Sequence, residues 1–254
     1  MSAPLPDFDA ILPPILSTAL KIKGWLTPRE IRFLSFIMAH PSTKGRFVEI
    51  GSYHGKSTVV LAMASELVGN ETLIAVDPIE ATPLLENMER FGVSEKVQFF
   101  NTTSDEFWLN WDEPIRVLWC DGANKREIVD RDVESAIPWL GDGAIVAFHD
   151  ILNPPGERIH VYIDKVLRSP HFGASGIIGS IGWSQYCKRP EDTVAYQPLK
   201  ARLRRKLERL RPFANLDGPP EGRLSKYRYK LFRWLVPHSA SQMKMFMRQV
   251  QFQP

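Results

Sequence analysis

The sequence predicts an α/β domain built on a mostly parallel sheet, closed by a terminal antiparallel hairpin and followed by a basic helical extension. Three observations predict it. Short apolar runs alternate with helical segments from residue 46 to residue 168. Two further runs, 174–181 and 183–188, follow each other with no helix between them. Beyond residue 191, leucines recur at helical spacing among an excess of Lys and Arg. Strands of a parallel sheet are covered on both faces, so they read as continuous apolar runs rather than alternating ones.

The elements follow in order. Residues 5–20 are apolar but broken by Pro13 and Pro14. Thr27-Pro28-Arg29-Glu30 reads as an N-cap, a proline at the first helical position and acidic support, opening a helix to about residue 38. Strands are expected at 46–51, 72–77, 96–100, 115–121 and 144–150. Helices are expected at 56–68, 82–91, 104–110, 126–140 and 157–168. The last two runs are expected to form a hairpin joined at Gly182. The chain thus divides into an N-terminal helical segment (1–44), forming a lid or a dimer contact, a main domain (45–190) and a C-terminal extension (191–254).

Composition bounds the function. With 254 residues and 44% hydrophobic content, one α/β domain with an appendage can bury a core, and global disorder is excluded. No apolar stretch reaches the roughly 18–20 residues of a membrane span. The first nine residues lack a basic, then apolar, signal pattern, and two cysteines make no disulfide framework, so a reducing cytoplasm is the expectation. Net charge is +3, but residues 198–254 hold fourteen Lys/Arg against three Asp/Glu, leaving −8 for the rest. Such asymmetry suggests two regions with different partners.

The strongest motif is Glu49-Ile-Gly-Ser-Tyr-His-Gly-Lys-Ser57, placed between a strand and a helix. Gly51 and Gly55 allow backbone angles closed to other residues and a close approach of ligand to main chain. Such a loop lies at the C-terminal edge of the sheet, where ligands bind. Glu49 and Ser57 suit the charged amino-acid end of a ligand. Asp77, 26 residues past Gly51, ends the next strand, where a carboxylate can accept both hydroxyls of a ribose. The spacing is G-x-x-x-G and not G-x-G-x-x-G, which weakens the alternative of a dinucleotide-dependent oxidoreductase. Asp121 ends the fourth strand and His149-Asp150 the fifth, at the same sheet edge. Two chemistries stay open there. Asp121 and Asp150 can offer oxygen ligands to a hard divalent cation such as Mg²⁺. His149 can instead take a proton directly.

Taken together, these residues resemble class I methyltransferases with a Rossmann-like fold, particularly small bacterial enzymes related to macrocin and other sugar or natural-product O-methyltransferases. The matching stretch runs from about residue 45 to 150, more weakly to 188. The resemblance implies S-adenosylmethionine (SAM) as cofactor and O-methylation of a hydroxyl on a small molecule or glycan. It implies that Glu49, Gly51, Ser52, Gly55 and Ser57 hold the methionine part and Asp77 the ribose. Ser104 is then the expected adenine contact, or else a helix N-cap, and Asp121 is shared between cofactor and acceptor. His149, Asp150 and Asp121 are the expected catalytic residues, and Asp121 and Asp150 the expected cation ligands. Relatives often carry Asp-Gly-x-His-x-Tyr; here Asn124 stands for the histidine and Arg126 for the tyrosine, and Asn is no base near neutral pH. That departure leaves a second reading, a catalytically weak nucleoside-binding domain docked through its basic tail. Asp132 is expected to be a helix-surface charge.

Leu199, Leu203, Leu207 and Leu210, set among six arginines and lysines, predict an amphipathic cationic helix, and the segment around Tyr227–Trp234 repeats the theme. Residues 199–235 are expected either to pack on the core or a second subunit, or to contact the inner face of a membrane peripherally. No recognised nucleic-acid-binding motif accompanies the charge.

Overall fold

The computed structural model describes residues 8–216, 218–238, 246, 249 and 250. Parts of the expected N-terminal segment (1–7) and of the extension (217, 239–245, 247–248, 251–254) lie outside the described residues.

Two helices, α1 (Phe8–Ala19) and α2 (Pro28–Ala39), precede β1 (Arg46–Ile50). The chain then alternates through α3 (Lys56–Ala64), β2 (Leu73–Val76), α4 (Thr82–Arg90), β3 (Val97–Phe100), α5 (Ser104–Trp108), β4 (Ile115–Cys120) and α6 (Arg126–Ala136). It continues with β5 (Leu140–Phe148) and α7 (Arg158–Val161), which widens into a π-helical turn over Tyr162–Leu167. The hairpin β6 (Phe172–Ile178) and β7 (Ile181–Tyr186) follows. The extension holds α8 (Gln197–Leu207), α9 (Arg211–Ala214) and α10 (Arg223–Leu235).

All seven strands form one sheet in the order β3-β2-β1-β4-β5-β7-β6. β1 to β5 pair in parallel, and β7 inserts antiparallel between β5 and β6. The reversal of strand order beside β1 and β4 opens a crevice at their C-terminal ends. β1, β2 and β4 are buried almost throughout, as their unbroken apolar sequences require.

Several expectations need correction. Pro13 and Pro14 do not break α1, because Phe8, Leu12, Ile15 and Ala19 form a stripe buried on the core that outweighs the local cost of proline. The hairpin turns at Gly179-Ser180, where Gly179 takes a φ of 63°. Gly182 instead pairs with Phe148 and Ile177 inside β7. α6 stops at Ala136, and β5 begins at Leu140, so that Gly141-Asp142-Gly143 belongs to the strand.

The N-terminal helices pack on the main domain. Phe8, Leu12, Ile31 and Phe33 share one apolar core with Phe47 of β1 and Val59 and Val60 of α3. Thr27 and Glu30 close a capping box at the predicted start of α2. Buried Arg116 bonds the carbonyls of Ile37 and Met38 at the other end of that helix and pairs with Glu71. On the second face of the sheet, Leu203, Leu207 and Leu210 are buried in the core. Three of the four leucines of the predicted stripe thus pack on the core, while Leu199 stays exposed. Buried Lys200 donates to the carbonyls of Ser169 and Phe172.

Candidate functional site

The site begins where β1 ends. Gly51 N–H donates to Val76 O at 2.8 Å, and Asp121 N–H donates to Ile50 O at 2.8 Å, so the ends of β1, β2 and β4 are stitched together. Gly51 has φ 92°, and a Cβ there would lie 2.3 Å from the Gly122 backbone. Glycine is required because two main chains touch. Tyr53 takes φ 48°. The loop that results aims its N–H groups at one carboxylate. Asp77 Oδ2 accepts from Ser52 N at 2.7 Å and from Tyr53 N at 2.8 Å, and Oδ1 accepts from Ile79 N at 3.0 Å.

Around this loop lies a cavity of about 510 Å³, walled by Gly51, Ser52, Ser57, Asp77 and Ser104 on one side and by Asp121, His149 and Asp150 on another. Lys23–Leu26, between α1 and α2, close a third side. There Trp25 stacks on Tyr53 with ring centroids 5.3 Å apart, Lys23 Nζ lies 5.5 Å from the Tyr53 centroid, and Lys56 Nζ donates to Gly24 O at 2.7 Å.

The acidic floor is organised around His149, which is almost wholly buried. Its Nδ1 lies 3.1 Å from Asp121 Oδ1 and 3.6 Å from Asp150 Oδ2, and its Nε2 lies 3.8 Å from Glu30 Oε2. Burial disfavours charge on the ring, but Asp121, Glu30 and Asp150 reverse this and push its pKa up to about 10. Burial likewise works against a charged Glu30, yet His149 and the donors of Thr27 and Ser180 bring it down to about 2. Arg158, also buried, donates to the carbonyls of Gly122, Ala123 and His149 and lies 3.4 Å from Asp121 Oδ1. Asp150 has φ 57°, a backbone setting that side chains rarely adopt, and keeps a partly exposed carboxylate on the cavity.

Residues 48–151 match a family model described as a methyltransferase domain. The cofactor loop, the ribose-type carboxylate and the acidic floor all fall inside this segment. Residues 48–151 form a class I SAM-dependent methyltransferase domain. Solved structures agree on the fold. An O-methyltransferase from Bacillus cereus in complex with SAH is 17% identical with a TM-score of 0.52, covering 70% of this chain and 91% of its own. TomG, an O-methyltransferase from Streptomyces achromogenes involved in tomaymycin synthesis and in complex with SAM, is 16% identical with a TM-score of 0.52, covering 70% and 89%. The O-methyltransferase NovP is 12% identical with a TM-score of 0.57, covering 71% and 98%.

Within the methyltransferase domain, most expected site residues meet at one cavity: Gly51, Ser52, Ser57, Asp77, Ser104, Asp121, His149 and Asp150 all reach its wall. Glu49 and Gly55 do not. Gly55, with φ 82°, caps α3 and faces Leu84. Glu49 lies fully buried behind the loop, accepting from Thr58 Oγ1 at 2.6 Å and Ser52 Oγ at 3.2 Å, while its Oε1 has no hydrogen-bond partner. Burial pushes its pKa up to about 7, with the charge of Asp121 adding to the rise and nearby hydroxyls opposing it. Ser104 is the first residue of α5, and Thr103 caps that helix. Asp132 is not a surface charge. It is buried, accepts from Trp108 Nε1 at 3.1 Å, and is pushed up to about 6 chiefly by burial.

Two expectations about the acceptor side meet this geometry. The three carboxylates around His149 favour its charged form over the neutral base expected there. A cation between Asp121 and Asp150 finds Asp121 already facing His149 and the Arg158 guanidinium. Among the described residues no group of three His, Cys, Asp or Glu side chains is arranged to hold a metal. The donor set does not fit Mg²⁺. Sequence reasoning missed Arg158, Trp25, Lys23, Lys56 and the second role of Glu30. For Glu30 the only signal was its capping position; Lys56 lay unremarked inside the glycine motif, and the others lay outside any motif.

Proposed function

We propose that this chain transfers a methyl group from SAM to a hydroxyl of a small molecule or glycan. The observation that carries the reading is the Asp77-clamped glycine loop opening into the same cavity as the Asp121–His149–Asp150 floor. The solved O-methyltransferases of like fold support it. Asp77 Oδ1 accepts only one loop amide and can take a further hydrogen bond from a ribose. Bound there, SAM supplies a methyl group already activated by its sulfonium, so alignment with the acceptor provides much of the rate. Asp150 takes the hydroxyl proton as the oxygen gains its methyl group. The His149 imidazolium and Arg158 hold Asp121 in place and balance the negative charge of the floor. Trp25 and Tyr53 present a flat aromatic wall on which an acceptor ring can lie.

The test is transfer of labelled methyl from SAM to a panel of hydroxylated acceptors. Wild-type protein is expected to label an acceptor at oxygen. Asp150→Asn is expected to slow transfer about a hundredfold while leaving binding of S-adenosylhomocysteine (SAH) intact. The raised proton affinity of His149 and the presence of Asn124 favour one rival, a domain that binds the nucleoside without turning it over. SAH binding with no transfer to any member of the panel, or full turnover by Asp150→Asn, would count against the proposed chemistry.

A further inference from the structure

α10 has no buried residue, although seven of its thirteen residues are leucine or aromatic. Its inward side is anchored by Tyr229 and Phe232, whose rings lie 5.6 and 6.4 Å from that of Phe213, and Tyr229 Oη donates to Leu152 O at 2.7 Å. Leu224, Tyr227, Leu231 and Trp234 point elsewhere. Their spacing of three, four and three residues places them in one stripe along the helix. They are 71%, 65%, 37% and 74% exposed. A row of two leucines, a tyrosine and a tryptophan in water marks a surface with a partner.

The charge around the stripe identifies that partner. Arg223, Lys226, Lys230 and Arg233 flank one side and Arg228 the other, and α10 holds no acidic residue. None of the five pairs with an acidic side chain among the described residues. Leucines buried to the acyl boundary, aromatic rings at its edge and cations over phosphates make the pattern of a helix lying in the plane of an anionic bilayer. At 13 residues α10 is about 20 Å long, too short to span, and no helix among the described residues is long and apolar enough to cross a membrane.

We infer that α10 docks this protein onto an anionic phospholipid surface, with Leu224, Tyr227, Leu231 and Trp234 inserted and the five basic side chains at the headgroups. Because Tyr229 and Phe232 tie α10 to the core, docking holds the methyltransferase domain itself at the surface. This inference stands independently of the acceptor's identity.

The experiment is vesicle flotation of the full chain. Phosphatidylcholine vesicles containing about 30% phosphatidylglycerol are expected to carry the protein upward, and pure phosphatidylcholine vesicles to leave it in solution. The double substitution Leu224→Glu and Trp234→Glu is expected to cut the floated fraction about tenfold or more. Both positions are exposed, so the variant's melting temperature should match the wild type's. The inference is overturned if folded protein ignores the anionic vesicles, if it floats equally with neutral ones, or if the double variant floats as well as wild type. It is also overturned if the free protein is a dimer that the same substitutions dissociate, since a second copy would then cover the stripe.

Discussion

Asp77→Ala is expected to weaken SAH binding by about a hundredfold and to lower the melting temperature at the same time. The two effects share a cause. The Asp77 carboxylate accepts the N–H groups of Ser52, Tyr53 and Ile79, so its removal leaves three amides at the mouth of the cavity without their acceptor. Hydrogen bonds to a charged group contribute about 1.5–3 kcal/mol each, and the loop they shape is the one that must approach the ligand. Asp77→Asn keeps the shape and one acceptor oxygen, so it should fall between the two. Calorimetry for affinity and circular dichroism for melting separate the outcomes. An Asp77→Ala protein that binds SAH normally would show that this carboxylate shapes the loop without serving the ligand.

His149→Ala is expected to cost about 3–5 kcal/mol of stability, the range for breaking a buried ion pair from one side. Glu30, Asp121 and Asp150 would then face one another around a void where the imidazolium had been. The pH dependence has a definite sign. The folded pKa of His149 is raised from 6.5 to about 10, so its contribution is complete below 6.5 and is lost as pH rises through 10. The folded pKa of Glu30 is lowered from 4.5 to about 2, so its contribution is complete above 4.5 and is lost as pH falls toward 2. The two shifts express one interaction, and wild-type stability should be greatest between pH 4.5 and 6.5. Urea unfolding across this range tests it. His149→Ala should lose the decline above 6.5, and an unchanged alkaline limb in the variant would show that His149 is not the charged centre.

The sheet was legible because parallel strands buried on both faces announce themselves as apolar runs, and RFVEI, LIAV and IRVLWC each fell where expected. The cofactor side was legible for a related reason. Gly51 and Asp77 act through the backbone, and backbone demands restrict residue type at a fixed spacing. The acceptor side was legible only in part: Asp121, His149 and Asp150 reach the cavity as expected, but their partners were hidden. Arg158 and Glu30 reach His149 from helices far apart in sequence, and a lone Arg or a capping Glu carries no mark of such a role. The charge state of His149 depends on three carboxylates that only the fold assembles. Leucine spacing foretold helix α8 correctly but not which side it buries, because a core face and a membrane face obey the same periodicity.

The central claim is that the cavity between the Asp77-clamped loop and the His149 floor is a SAM site. Calorimetric titration of the full chain with SAH, alongside a parallel titration with NAD, tests it most directly. Saturable one-to-one binding of SAH with no heat from NAD is the predicted result. A folded protein that gives no heat with SAH, or that takes NAD into the same site, would contradict it.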